Sequence, residues 1–132
     1  MELKTGIKGF AETVVDKTNV ASSVGSVLLD VYSTPSMIAL IEKAAAESVE
    51  EGLEERQGTV GIRLEISHLA ATPIGQKVRA ETELVEIDGR ILTFEVSVYS
   101  EVEKIGEGTH KRCIILNDRF VEKMNARYGQ NG

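Results

Sequence analysis

The chain has no tryptophan, two prolines, two histidines and one cysteine in 132 residues. A lone thiol, Cys113, excludes an internal disulfide and a cysteine-rich zinc site, and it fits a reducing cytoplasm. Neither His68 nor His110 has an i, i+4 partner that would make a helical ligand pair, so no metal is expected. No stretch approaches the roughly 18 apolar residues of a membrane span. Met1 to Phe10 lacks the apolar segment of a signal peptide. Positive charge is also in short supply: 15 Lys and Arg stand against 21 Asp and Glu, a net charge of -6. Such a surface repels phosphate backbones, which argues against nucleic acid as a partner, although a local basic patch can still hold one phosphorylated ligand.

What is present is typical of a soluble fold, with 42% hydrophobic and 27% charged residues. One domain over residues 1–132 with a single core is expected. Residues 6–16 read as a glycine-interrupted strand, and residues 17–33 as a loop with an apolar stretch at Val27–Val31. Thr34 as N-cap and Pro35 as first helical residue open a helix of strong helix formers that stops at Gly52. After Gly58 the period becomes two. Val60, Ile62, Leu64, Ile66 and His68 alternate with polar neighbours. Turns at ATPIG (71–75) and Asp88–Gly89 separate further alternating strands, and another strand covers Gly108–Leu116. A short terminal helix follows, capped by Asn117 or Asp118. Strand, long helix, then four strands describes an α+β antiparallel sheet packed on one helix.

Two polar groups interrupt the apolar faces. With Ile38 at zero on a helical wheel, Ala45 and Val49 lie within about 20°, and Glu42 sits about 40° away between Val49 and Leu53. Thr34 projects onto the same face, about 40° to the other side of Ile38. Leu40 falls on the opposite, exposed half. A carboxylate in an apolar stripe is costly without partners, so it is either satisfied by backbone donors or a dimer seam, or it is functional. His68 continues the inward series of its strand, where an imidazole is either a satisfied core group or an acid–base group. Glu42 and His68 are expected on facing surfaces, close enough to act as an acid/base pair. Gly61 inside a strand suggests a bulge or the close approach of a ligand, with its N–H available to an oxyanion. His110 reads as a structural strand histidine, and Cys113 as an inert core thiol.

The segments STPSMIALIE (33–42), VGIRLEISHLAATPIG (60–75) and IGEGTHKR (105–112) resemble the hot-dog fold, and within it the fluoroacetyl-coenzyme A thioesterase-like group. The resemblance runs from about residue 6 to 120. It implies a five- to six-stranded antiparallel sheet wrapped around the helix, and a homodimer, with pairing into tetramers left open. It further implies an acyl-thioester channel at the subunit interface. Position by position, it carries a catalytic threonine onto Thr34, a glutamate onto Glu42, a histidine onto His68 and a site glycine onto Gly61. No cofactor is implied; coenzyme A is part of the substrate. The segment 17–33 offers one aromatic, Tyr32, where the fluoroacetyl-specific enzyme carries an aromatic lid. A short-chain or otherwise unidentified acyl thioester is therefore the expected substrate.

In this reading Glu42 attacks the carbonyl or activates water, and His68 serves as general acid and base. Thr34 hydrogen-bonds Glu42 or the substrate, while Ile38, Ile41 and Leu28 line the acyl pocket. Lys77, Arg79, Lys111 and Arg112 are candidates for the nucleotide phosphates. Three alternatives remain open at this level. One is a non-catalytic acyl-coenzyme A or small-ligand binding protein, the second a hydratase or dehydratase of the same fold, and the third a structural dimer with no ligand.

Overall fold

The computed structural model describes residues 2–25 and 27–130. Five strands and two helices follow in the order β1 (Lys8–Val14), α1 (Thr34–Val49), β2 (Gln57–His68), β3 (Lys77–Asp88), β4 (Ile91–Tyr99), β5 (Lys104–Leu116) and α2 (Asn117–Arg127). A single 3₁₀ turn, Glu50–Gly52, ends α1. The strands form one antiparallel sheet in the order β1-β3-β4-β5-β2. The sheet curls around α1, which rests chiefly on β1 and β3. This is the hot-dog arrangement, in which β2 forms an edge of the sheet, with one side of its backbone unpaired among the described residues. Among the described residues no helix is long and apolar enough to cross a membrane.

The core lies between α1 and the inner face of the sheet. Met37, Leu40, Ile41, Ala44, Ala45 and Val49 of α1 meet Val78, Ala80 and Leu84 of β3, Leu92, Phe94, Val96 and Val98 of β4, and Ile105 of β5. Small residues let the layers close. A methyl on Gly9 would sit 2.7 Å from the Ala44 carbonyl and 2.5 Å from Ser48 Cβ, so only glycine allows β1 to lie this near the helix.

Three local expectations are corrected. Leu40 is buried, at 6% exposure, rather than outward. The curled sheet covers about half of the helix circumference, and the buried arc is centred about 80° from Ile38, near Ile41 and Ser48. Ile38 and Glu42 therefore lie at the rim of that arc, half-buried. The N-cap is Ser33, whose hydroxyl accepts from the Ser36 N–H, and Thr34 is the first helical residue. The terminal helix begins after Leu116 with no side-chain cap, rather than being capped by Asn117 or Asp118.

The alternation along β2 also changes partway. Gly61 pairs with Arg112 and Arg63 with Lys111, leaving Ile62 as the extra residue of a bulge. Beyond it Leu64, Ile66 and His68 register with His110, Gly108 and Gly106 on the inner face. Before it, Thr59 and Gly61 face inward. Val60 and Ile62 are thereby turned to the outer face, and Ile62 is 51% exposed. Cys113 pairs with Val60 on that outer side, half-buried, and is not a core thiol.

Candidate active site

Capping by Ser33 leaves the Thr34 hydroxyl without a role in the helix, and it turns to the last residue of β2. Thr34 Oγ1 lies 2.7 Å from His68 Nδ1. Both line a cavity of about 410 Å³, together with Ala21, Val27, Val31, Tyr32, Leu69 and Ala70. Val27, not Leu28, supplies the apolar wall from the 17–33 segment; Leu28 is 96% exposed. Burial pushes the His68 imidazole below its ordinary pKa of 6.5, against a smaller pull from the Ala70 backbone. The ring is thus neutral at neutral pH, and Nε2 is buried with no hydrogen-bond partner among the described residues. A neutral imidazole with one nitrogen on a hydroxyl and the other buried without a partner keeps one proton-transfer position uncommitted. Tyr32 closes the wall; burial raises its phenol well above the usual value, which keeps it neutral.

Glu42 belongs to a second cluster. Its Oε2 stands 3.6 Å from Arg112 Nη1, and the Arg112 side chain is only 8% exposed. A methyl group on Gly61 would collide with this same carboxylate oxygen and would come within 3.2 Å of His110 Cε1 and 3.4 Å of Arg112 Nη1. Glycine is therefore needed at position 61 for Glu42 to lie across the strand.

Arg112 is held from several directions. Nε donates to Thr59 Oγ1 at 2.8 Å, Nη2 donates to the Thr59 carbonyl at 2.9 Å, and Nη1 lies 3.2 Å from His110 Nε2. His110 Nδ1 lies 2.9 Å from the Arg63 carbonyl, which can only accept, so this nitrogen carries the proton and Nε2 accepts from Arg112. Burial lowers the His110 pKa, which preserves that neutral tautomer. Burial also lowers the Arg112 pKa, while the Glu42 charge opposes the change.

The four residues singled out in the sequence thus fall into two pairs, Thr34 with His68 and Glu42 with Gly61. The direct meeting of Glu42 and His68 does not form within one chain. Eight helical residues, about 12 Å of axis, separate Thr34 from Glu42. Seven strand residues, on the order of 20 Å, separate Gly61 from His68. Two further residues, Arg112 and His110, enter the Glu42 cluster. Their signal in the sequence is the alternation Gly108, His110, Arg112 on the inward face of a strand, where a cation needs a buried partner.

The match to the model of the fluoroacetyl-CoA-specific thioesterases spans residues 15–118 and takes in both clusters. The chain belongs to this family. Fluoroacetyl-CoA thioesterase of Streptantibioticus cattleyicolor is 37% identical over 101 residues, covering 76% of this chain and 70% of that protein. A solved structure of the fluoroacetyl-CoA thioesterase superposes with a TM-score of 0.90 at 28% identity, over 96% of this chain and 98% of the other. A thioesterase superfamily member from Thermus thermophilus gives 0.85 at 25% identity, over 96% of each chain. In this thioesterase-family chain the matched region begins at Val15, so it includes the 17–33 segment, α1 and the whole of β2 to β5.

Proposed function

We propose that the protein hydrolyses a short-chain acyl-coenzyme A thioester in a site completed by two copies of the chain. The observation that carries the reading is the Thr34–His68 hydrogen bond of 2.7 Å, with its free imidazole nitrogen, beside an apolar-walled cavity in a member of a thioesterase family. The Streptantibioticus relative is named for a fluoroacetyl thioester. Here the apolar wall supports a small acyl group without committing to fluorine.

Symmetry supports the dimer. β2 offers a free edge, and the side of α1 toward it carries Ile38, Glu42 and Ala46, all half-buried. Antiparallel pairing of two β2 edges about a two-fold axis lays the α1 helices side by side in opposite directions. Ile38 is midway between Thr34 and Glu42. With Ile38 on the axis, Thr34 of one subunit faces Glu42 of the partner subunit. The same operation brings His68 beside the Gly61–Ile62 bulge of the partner subunit when the β2 pairing is centred at Glu65. Both elements thus call for one axis, and each dimer contains two complete sites.

In that site His68 acts as general acid and base, with Thr34 fixing the ring through Nδ1. The Glu42 carboxylate, steadied by Arg112, attacks the carbonyl or directs a water onto it. The Gly61 backbone and the Arg112 cation favour the developing oxyanion. When water attacks, His68 takes its proton and passes it to the departing thiolate of coenzyme A; when Glu42 attacks, the thiolate leaves first, and its proton comes from the water that His68 activates to cleave the acyl–Glu42 anhydride. Water is the only co-substrate and no cofactor takes part. A single unpaired thiol is in keeping with a cytoplasmic setting.

The test is a panel of acyl-coenzyme A substrates followed by thiol release, on wild type and on Glu42→Gln and His68→Asn. Turnover by wild type and a loss of about 10²–10⁴-fold in kcat in each variant are expected. Ligand affinity without thiol release identifies a binding protein instead, and a change in enoyl absorbance without thiol release identifies a hydratase. For Glu42, incorporation of heavy oxygen from labelled water into its carboxylate separates attack by Glu42 from attack by water.

A further inference from the structure

Of the cations expected to meet the coenzyme A phosphates, two are engaged elsewhere. Arg79 stacks 3.9 Å above the Phe10 ring and pairs with Glu81, and Arg112 belongs to the Glu42 cluster. A different basic set converges at the far end of β5. Arg90, Arg119 and Lys123 surround a cavity of about 250 Å³ whose apolar walls are Ile115, Leu116 and Phe120. None of these three cations is ion-paired among the described residues, whereas Arg63, Arg79, Lys104 and Arg112 all are.

The geometry points to this hollow as the seat of the phosphorylated nucleotide end of the acyl-coenzyme A, an inference that rests on the thioesterase reading above. Charge supports it first. A chain of net charge -6 that takes a polyanionic substrate needs a local concentration of positive charge, and three unpaired cations on one cavity provide it. The carboxylates of the same helix, Asp118 and Glu122, fall about 140° and 100° around α2 from Lys123 and so point away from the cavity. Asp88 is the nearest acid in sequence to Arg90, on the other arm of its turn.

Shape and reach agree. Phe120 is 44% exposed and gives an aromatic face on which an adenine can stack. The walls are anchored: the Arg90 carbonyl accepts from the Ile114 N–H at 2.8 Å, and the Asn117 N–H donates to the Arg56 carbonyl at 2.9 Å. Leu116 lies four strand residues beyond Arg112, about 13 Å, so the cavity and the Glu42 cluster are separated by a distance that an extended pantetheine arm can bridge.

The experiment is calorimetric titration of wild type and of the Arg119→Ala/Lys123→Ala double variant with coenzyme A and with dephospho-coenzyme A. It is paired with kinetics on an acyl-coenzyme A and on the matching acyl-N-acetylcysteamine, which lacks the nucleotide. The double variant is expected to bind coenzyme A at least about tenfold more weakly and to raise KM for the acyl-coenzyme A similarly. Its kinetics on the nucleotide-free thioester should be unchanged, and Arg119→Lys/Lys123→Arg should restore most of the affinity. Coenzyme A binding within twofold of wild type in the double variant, or no binding by wild type, overturns the assignment. An equal loss on both thioesters also overturns it, since that is damage to the fold or the reacting centre. Failure of wild type to cleave either thioester is instead a failure of the thioesterase reading, and the titration still decides the cavity.

Discussion

In the proposed mechanism His68 must be neutral to take a proton, and its surroundings set that condition. Burial destabilises the imidazolium and lowers its pKa from 6.5. kcat/KM is therefore expected to rise with pH through an inflection below 6.5 and to level off near neutrality; an inflection clearly above 6.5 contradicts this role. The same burial affects stability. His68 and His110 both bind protons more weakly folded than unfolded, so their contribution is complete above 6.5 and is lost as pH falls through the folded values. Gly61 is the second residue on which the proposed chemistry depends. A methyl there meets only the flexible end of Glu42, together with His110 and Arg112 at ordinary to tight distances. Gly61→Ala should fold normally while displacing the carboxylate, with a loss of about 10²-fold in kcat. A thermal melt and a rate on the same sample check both halves. Glu42, His68 and Gly61 are legible as candidates because each breaks a local pattern, whereas Thr34 reads as a helix cap and becomes a candidate through the family resemblance. Arg112 was not assigned to this cluster, since its partner Glu42 is remote in sequence and an arginine on a strand ordinarily reads as surface.

At the scale of the element, the start of α1 links stability to the site. The Ser33 hydroxyl, 3.1 Å from the Ser36 N–H, caps the helix and so releases Thr34 for His68. Ser33→Ala should cost about 1 kcal/mol by denaturant titration. It should also lower kcat, because the Thr34 hydroxyl becomes the nearest replacement cap. Full activity at reduced stability would mean that Thr34 does not need its present orientation. The order of elements and the long helix were readable from capping residues and periodicity. The rotation of α1 was not, because a wheel assumes that burial is centred on the densest apolar stripe, and here a curled sheet covers a wider arc that includes Leu40. The bulge at Gly61–Arg63 was signalled by glycine, but its consequence was missed. One inserted residue turns Val60 and Ile62 outward while leaving His68 inward.

For the whole molecule, the unpaired β2 edge and the half-buried Ile38 point the same way, to a second copy of the chain. Ile38→Lys should yield monomers by sedimentation and lose activity with the dimer, since like charges would meet on the axis. A stable, active monomer would remove the need for symmetry. The separation of Thr34–His68 from Glu42–Gly61 is invisible to any reading that folds one chain onto itself, which is why an intrachain Glu42–His68 pair was expected. Subunit mixing tests the point most directly. Glu42→Gln and His68→Asn dimers, each inactive, are dissociated together and reassembled. If the site is shared between subunits, half of the dimers are mixed and each carries one intact site, so the rate should return to about one quarter of wild type. No recovery, in a sample in which mixed dimers are demonstrated, would contradict the shared site.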